Sequence, residues 1–120
     1  MKTLEKNIQS AIEEMLAAFE RRKSLVYIKN NSGATKTENS FVRFGKTGSP
    51  DFLVFLNGGH TLHMEVKTEK GKQTQNQIDY QERVSKLGHV YRVVRSVKEA
   101  FLELSELDYD DELETRNTGT

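Results

Sequence analysis

Asp51, Glu65 and Lys67 are the residues of this 120-residue chain whose types and spacing could do chemistry together. They fall in the stretch from Gly48 to Lys67, GSPDFLVFLNGGHTLHMEVK. It reads as a sharp turn, a strand opening on Asp51, a two-glycine turn and a second strand ending Glu65-Val66-Lys67. Alternate side chains of a strand point to one face, so Glu65 and Lys67 look the same way. A hairpin folded about Asn57-Gly58-Gly59 sets Asp51 opposite Glu65 or Val66, depending on register. Facing carboxylates, with Cβ atoms roughly 4.5–5.5 Å apart, repel each other. A shared proton, a cationic partner or a bound metal ion relieves such a pair. Oxygen-only ligands favour a hard cation, Mg2+ or Mn2+. A lysine on the same face can orient or deprotonate a metal-bound water, or stabilise charge developing on a phosphate. The competing reading is an ordinary hairpin with solvated charges on its outer face.

Several elements must position these groups. Leu4, Ile8, Ile12, Met15, Leu16 and Phe19 have the spacing of an amphipathic helix over residues 3–22. Glu5 borders its apolar stripe, either as a first-turn acid that suits the helix dipole or as a carboxylate sent toward the end of the sheet. Leu25 to Ile28 predicts the first strand, Asn30 to Ser40 a polar loop, and Phe41 to Phe44 a short strand or loop segment. Phe52 to Leu56 is continuously apolar, the pattern of a strand covered on both faces. Thr74 followed by Gln77 predicts a capping box. Gln77 shares a helical face with Tyr80, Val84 and Leu87, so it is either the cap's partner or a polar group aimed at the site of Lys67. Gly88 ends that helix, Val90 to Val94 forms a strand, and a last helix covers 97–107. Strand, helix and strand in succession predict a last strand parallel to a hairpin strand.

Composition narrows the function classes. One modest core suits this length. The absence of cysteine excludes disulfides, zinc fingers and thiol chemistry. His60 and His63 invite a zinc reading, but only His89 remains to join them, so they are read as structural or substrate-facing. No apolar run approaches the roughly 20 residues of a membrane helix and no signal peptide is apparent, so a cytoplasmic protein is expected, with no membrane partner. The net charge of zero hides an asymmetry: seven acids and one base in residues 103–120 leave 17 bases and 11 acids before them. A body of about +6 suits a polyanionic partner. Lys36, Arg43 and Lys46 beside the hairpin, and Lys70 and Lys72 after it, are the candidate phosphate contacts. Residues 108–120 are expected to be a disordered acidic tail, which leaves 1–107 as the domain.

Glu5-x-x-Ile8-Gln9, Gly48-Ser49-Pro50-Asp51, Glu65-Val66-Lys67, Thr74-x-x-Gln77 and the closing Gly88…Val93-Val94-Arg95-Ser96 follow one another within residues 4–98. In that order they resemble the virus-type replication-repair nuclease (VRR-NUC) family of the PD-(D/E)xK superfamily. The resemblance implies an α/β, restriction-endonuclease-like core, a mixed sheet of about four strands flanked by helices in the order α-β-β-β-α-β-α. Carried residue by residue, it implies that Asp51, Glu65 and the Val66 carbonyl bind Mg2+ or Mn2+. Lys67 would be the catalytic lysine, Gln77 would position water or lysine, and Glu5 would complete the acidic cluster through water or a second metal. It further implies a homodimeric, structure-selective DNA endonuclease acting on four-way junctions or flaps. A restriction-type duplex endonuclease and a non-catalytic DNA-binding module on the same fold are the alternatives.

Overall fold

The apolar stripe of the first twenty residues produces one long helix, α1 (Lys2–Arg21), with Ile12 and Leu16 fully buried. Its stripe runs off the body at the start, where Leu4 is exposed. The computed structural model describes residues 2–30, 33–36, 41–44 and 46–107; for 2, 3, 33–36 and 41–44 it describes the backbone alone. After α1 come β1 (Val26–Lys29), β2 (Gly33–Lys36), β3 (Phe41–Phe44), β4 (Phe52–Phe55), β5 (Thr61–Val66), α2 (Gln75–Lys86) and β6 (Val90–Val94). A third helix, α3, covers 97–107.

Four strands make the central sheet in the order β1-β4-β5-β6. The first three are antiparallel neighbours, and β6 joins β5 in parallel through the α2 crossover, as the strand-helix-strand succession predicts. Asn57–Gly59 forms a one-turn 3-10 connection between β4 and β5, with Gly58 at φ 79° and Gly59 at φ 80°. Those left-handed conformations are what the paired glycines are for. The register Phe52↔Met64 and Phe55↔Thr61 sets Asp51 one step further on, across from Glu65.

The core lies between one face of the sheet and the two helices α1 and α3. Phe52, Val54, Leu62, Met64, Val66 and Val94 meet Ile12, Leu16, Ala100 and Leu104 there. The α2 helix covers the other face, against His63 and the neighbourhood of Tyr91. The mixed four-stranded sheet with flanking helices is the architecture expected of a restriction-endonuclease-like core.

Three details depart from the sequence reading. Within the stretch taken as a polar loop, Gly33–Lys36 is a strand that pairs antiparallel with Phe41–Phe44 as a separate two-stranded sheet. Backbone pairing along a ribbon does not need the apolar alternation that marks a half-buried strand. The rest of that stretch, 31–32 and 37–40, and the acidic tail 108–120 lie outside the described residues. Second, β4 is not covered on both faces: Phe52 and Val54 are buried, whereas Phe55 is 39% exposed. The second layer, α2, contacts the β5–β6 half of the sheet and leaves Phe55 open. Third, Leu87 does not complete the inner face of α2; it is the C-cap residue and is exposed.

Candidate active site

The turn before β4 is tied down from three directions. Ser49 donates from its N–H (3.0 Å) and its Oγ (2.6 Å) to the Lys46 carbonyl. Asn30, one residue past β1, donates through Nδ2 to Ser49 Oγ at 2.7 Å and to the Pro50 carbonyl at 2.8 Å. Its backbone N–H reaches the Asp51 carbonyl at 2.7 Å, continuing the β1–β4 ladder. Gly48, at φ 81°, lies against the start of α2, where a Cβ would collide with the Asn76 carbonyl. Asp51 is thereby fixed relative to both β5 and α2.

Both carboxylate oxygens of Asp51 are occupied: Gln9 Nε2 of α1 donates to Oδ1 at 3.0 Å, and the Val66 N–H donates to Oδ2 at 2.8 Å. Glu65 is 4% exposed. Its Oε2 accepts from Gln77 Nε2 at 2.9 Å and lies 3.5 Å from the Lys67 ammonium. Two readings of Gln77 were open, and both hold. Its Oε1 accepts from the Thr74 N–H at 2.9 Å while its own N–H donates to Thr74 Oγ1 at 3.2 Å, and the amide's other end meets Glu65. One side chain caps the helix and binds the site.

The electrostatics follow from burial. Loss of solvent, then the nearby Asp51 charge, push the Glu65 carboxyl up to about 8, against the attraction of Lys67. Asp51 is raised as well, chiefly by burial, with Glu5 pushing the same way; the Val66 N–H, Lys67 and Gln9 pull it back. Glu5 also raises Glu65, which places its charge close to both carboxylates. The cluster is short of positive charge.

An oxygen-only donor set with such a deficit fits a small hard cation. Among the described residues no three His, Cys, Asp or Glu side chains converge as ligands, so the side-chain contribution to a cation would be the Asp51–Glu65 pair. Mg2+ characteristically takes one or two carboxylates and keeps its waters.

Asp51, Glu65, Lys67, Gln77 and Glu5 therefore come together, with Val66 between the two key strand residues. The five candidate phosphate contacts are more scattered. Lys46 is exposed at the turn facing α2, and Lys70 and Lys72 are exposed in the loop after β5. Arg95 holds that loop, its Nη1 donating to the carbonyls of Thr68 at 2.6 Å and Gly71 at 2.7 Å. The side chains of Lys36 and Arg43 lie outside the described residues.

Sequence reasoning gave no role to Asn30, Gln9 or Arg95. Gln9 was within reach, because it lies one helical turn after Glu5 and so shares its face. Asn30 needed the β1–β4 register, which no local pattern carries. Beyond Glu65 on the same face of β5, His63 is buried, its Nδ1 sharing a hydrogen with Tyr80 Oη at 2.9 Å and its ring packed edge-on to His89. Its Nε2 has no partner among the described residues. Burial lowers the His63 imidazole and raises the Tyr80 phenol, so both are neutral near pH 7.

No family model matches the chain, and no curated protein matches it. A solved structure described as a VRR_NUC domain is similar to it over 88% of this chain and 95% of its own, at 27% identity and a TM-score of 0.58. Among the described residues no helix is long and apolar enough to cross a membrane.

Proposed function

We propose that this chain, similar over 88% of its length to a VRR_NUC domain, is a divalent-metal-dependent, structure-selective DNA endonuclease with a PD-(D/E)xK core. Its substrates are branched DNA, four-way junctions or flaps, and it works as a homodimer. The observation that carries this reading is the pairing of Asp51 with a buried Glu65 at one end of the sheet, with Lys67 3.5 Å from the Glu65 carboxylate. A structural ion pair does not need a second buried carboxylate beside it; a site that awaits a cation does.

Asp51, Glu65 and the Val66 carbonyl would hold Mg2+ or Mn2+, and a bound cation supplies Lewis-acid polarisation of the scissile phosphate and a more acidic water. The chain's own groups supply positioning and charge. Gln77 and Gln9 fix one oxygen each of Glu65 and Asp51, so the two carboxylates keep their orientation without help from the substrate. Lys67 presents its ammonium where negative charge grows on the phosphorus oxygens as water adds and the bridging P–O bond breaks. Glu5, whose charge raises both carboxylates, would complete the acidic cluster through water or a second metal.

The test is cleavage of junction, flap and linear duplex DNA in Mg2+ or Mn2+, comparing the wild type with Lys67→Ala and Asp51→Ala. Each substitution is expected to cost at least about 100-fold in rate while leaving the protein folded. Cleavage that survives both changes, or that persists in EDTA, would overturn the assignment. Binding without cutting in either metal would make the chain a binding module.

A further inference from the structure

We infer that the groove between the turn at residues 46–48 and the adjoining flank of α2 is a subsite for a backbone phosphate flanking the scissile one, on the same strand. The inference rests on the nuclease reading above and extends it to residues that carry no chemistry. The groove encloses about 430 Å3 and is lined by Lys46, Thr47, Asn76, Asp79, Tyr80 and Arg83.

Its place beside the site follows from the two elements it shares with it. Tyr80 is one turn beyond Gln77 on α2, and its hydroxyl meets His63, two residues before Glu65 on the same face of β5. Two strand residues advance about 6.6 Å. The groove and the Glu65 carboxylate are therefore reached from adjacent turns of one helix and adjacent same-face positions of one strand.

Its charge suits that occupant. Lys46 and Arg83 are exposed, and neither side chain has an ion-pair partner among the described residues. Asp79, the one acid in the lining, has an oxygen taken by Gln75 Nε2 at 2.9 Å. Its walls are also set in advance. Ser49 anchors the Lys46 backbone, the missing Cβ of Gly48 lets the turn rest on Asn76, and His63 pins Tyr80. A polyanion entering this groove meets two cations, unpaired among the described residues and carried on a preset turn and helix, so the cost of ordering falls on those two side chains alone.

The experiment measures binding of a fluorescein-labelled four-way junction by anisotropy in EDTA, across a salt series, and cleavage kinetics in Mg2+ or Mn2+. Arg83→Ala is expected to weaken binding about 5- to 10-fold and to lower the slope of log K against log salt by about 1. Arg83→Lys should restore most of both, and Asp79→Asn should tighten binding about 2-fold. In turnover the loss should appear in KM with kcat kept. Neutral methylphosphonate linkages scanned through three positions on each side of the cut give the strand-level readout. One flanking position should weaken the wild type about as much as Arg83→Ala does, and should weaken that variant no further. Equal affinity and salt slope for wild type and a folded Arg83→Ala would overturn the subsite, even with cleavage intact. Cleavage that survives Lys67→Ala and Asp51→Ala would instead overturn the nuclease reading, whatever Arg83 does.

Discussion

Glu65 lies almost wholly out of solvent beside a second carboxylate, and each group touching it answers that problem in part. Gln77 donates a hydrogen bond, Lys67 brings a charge at 3.5 Å, and neither offsets the loss of water. Without a cation the carboxyl titrates near 8, raised from its usual 4.5. The sign follows from proton counting. Between pH 4.5 and 8 the folded chain holds a proton that the unfolded chain has released, so stability falls as pH rises through that window. In EDTA the melting temperature should therefore drop from pH 5 to pH 8, by roughly a few kcal/mol of stability. Glu65→Gln should flatten the slope and raise the melting temperature at pH 8, and Mg2+ should reduce the slope in the wild type. A wild-type profile that rises over this range would mean that Glu65 is ionised and satisfied without metal.

The elements around the site differ in how far the sequence exposes them. The capping box at Thr74 and Gln77 is a contact between residues three apart, and it was legible because its cause is local. The β4–β5 hairpin was legible too, from its two-glycine turn, but its register was not: Asp51 could face Glu65 or Val66 until the pairing of Phe52 with Met64 set it across from Glu65. The Gln9–Asp51 bond joins residues 42 apart and the Asn30–Ser49 bond residues 19 apart. Nothing in either neighbourhood announces the partner, and both emerge only when α1 and β1 are packed. The strand at Gly33–Lys36 was hidden for a different reason, because a polar ribbon has no apolar period to detect. Gly48 shows what close packing of elements demands. A side chain there would meet the Asn76 carbonyl and would carry the strain of φ 81° as well. Gly48→Ala is expected to destabilise the chain by roughly 1–3 kcal/mol and to lower cleavage by more than the folded fraction explains, since it separates the Asp51 turn from α2. Thermal melts and cleavage rates on the same preparation would check this, and a variant with normal rate and stability would mean that the turn and helix move freely.

The proposed junction cleavage would need two catalytic centres, and a chain of this size has room for one. A two-fold dimer would supply the second and match the symmetry of a four-way junction. Sedimentation equilibrium should therefore give about twice the 13.8 kDa of the single chain, and a monomer at working concentration would restrict the reading to single-strand cuts such as flaps. The site itself is a property of the whole fold, drawing on α1 for Gln9, the turn before β4 for Asp51, β5 for Glu65 and α2 for Gln77. Gln77 has a kinetic consequence. Because one end of its amide closes the first turn of α2 and the other holds Glu65, fraying of that turn and release of the carboxylate are a single event. Amide hydrogen exchange at Gln77 would then report how often the site disassembles, and a ligand that steadies Glu65 would slow that exchange without touching the helix.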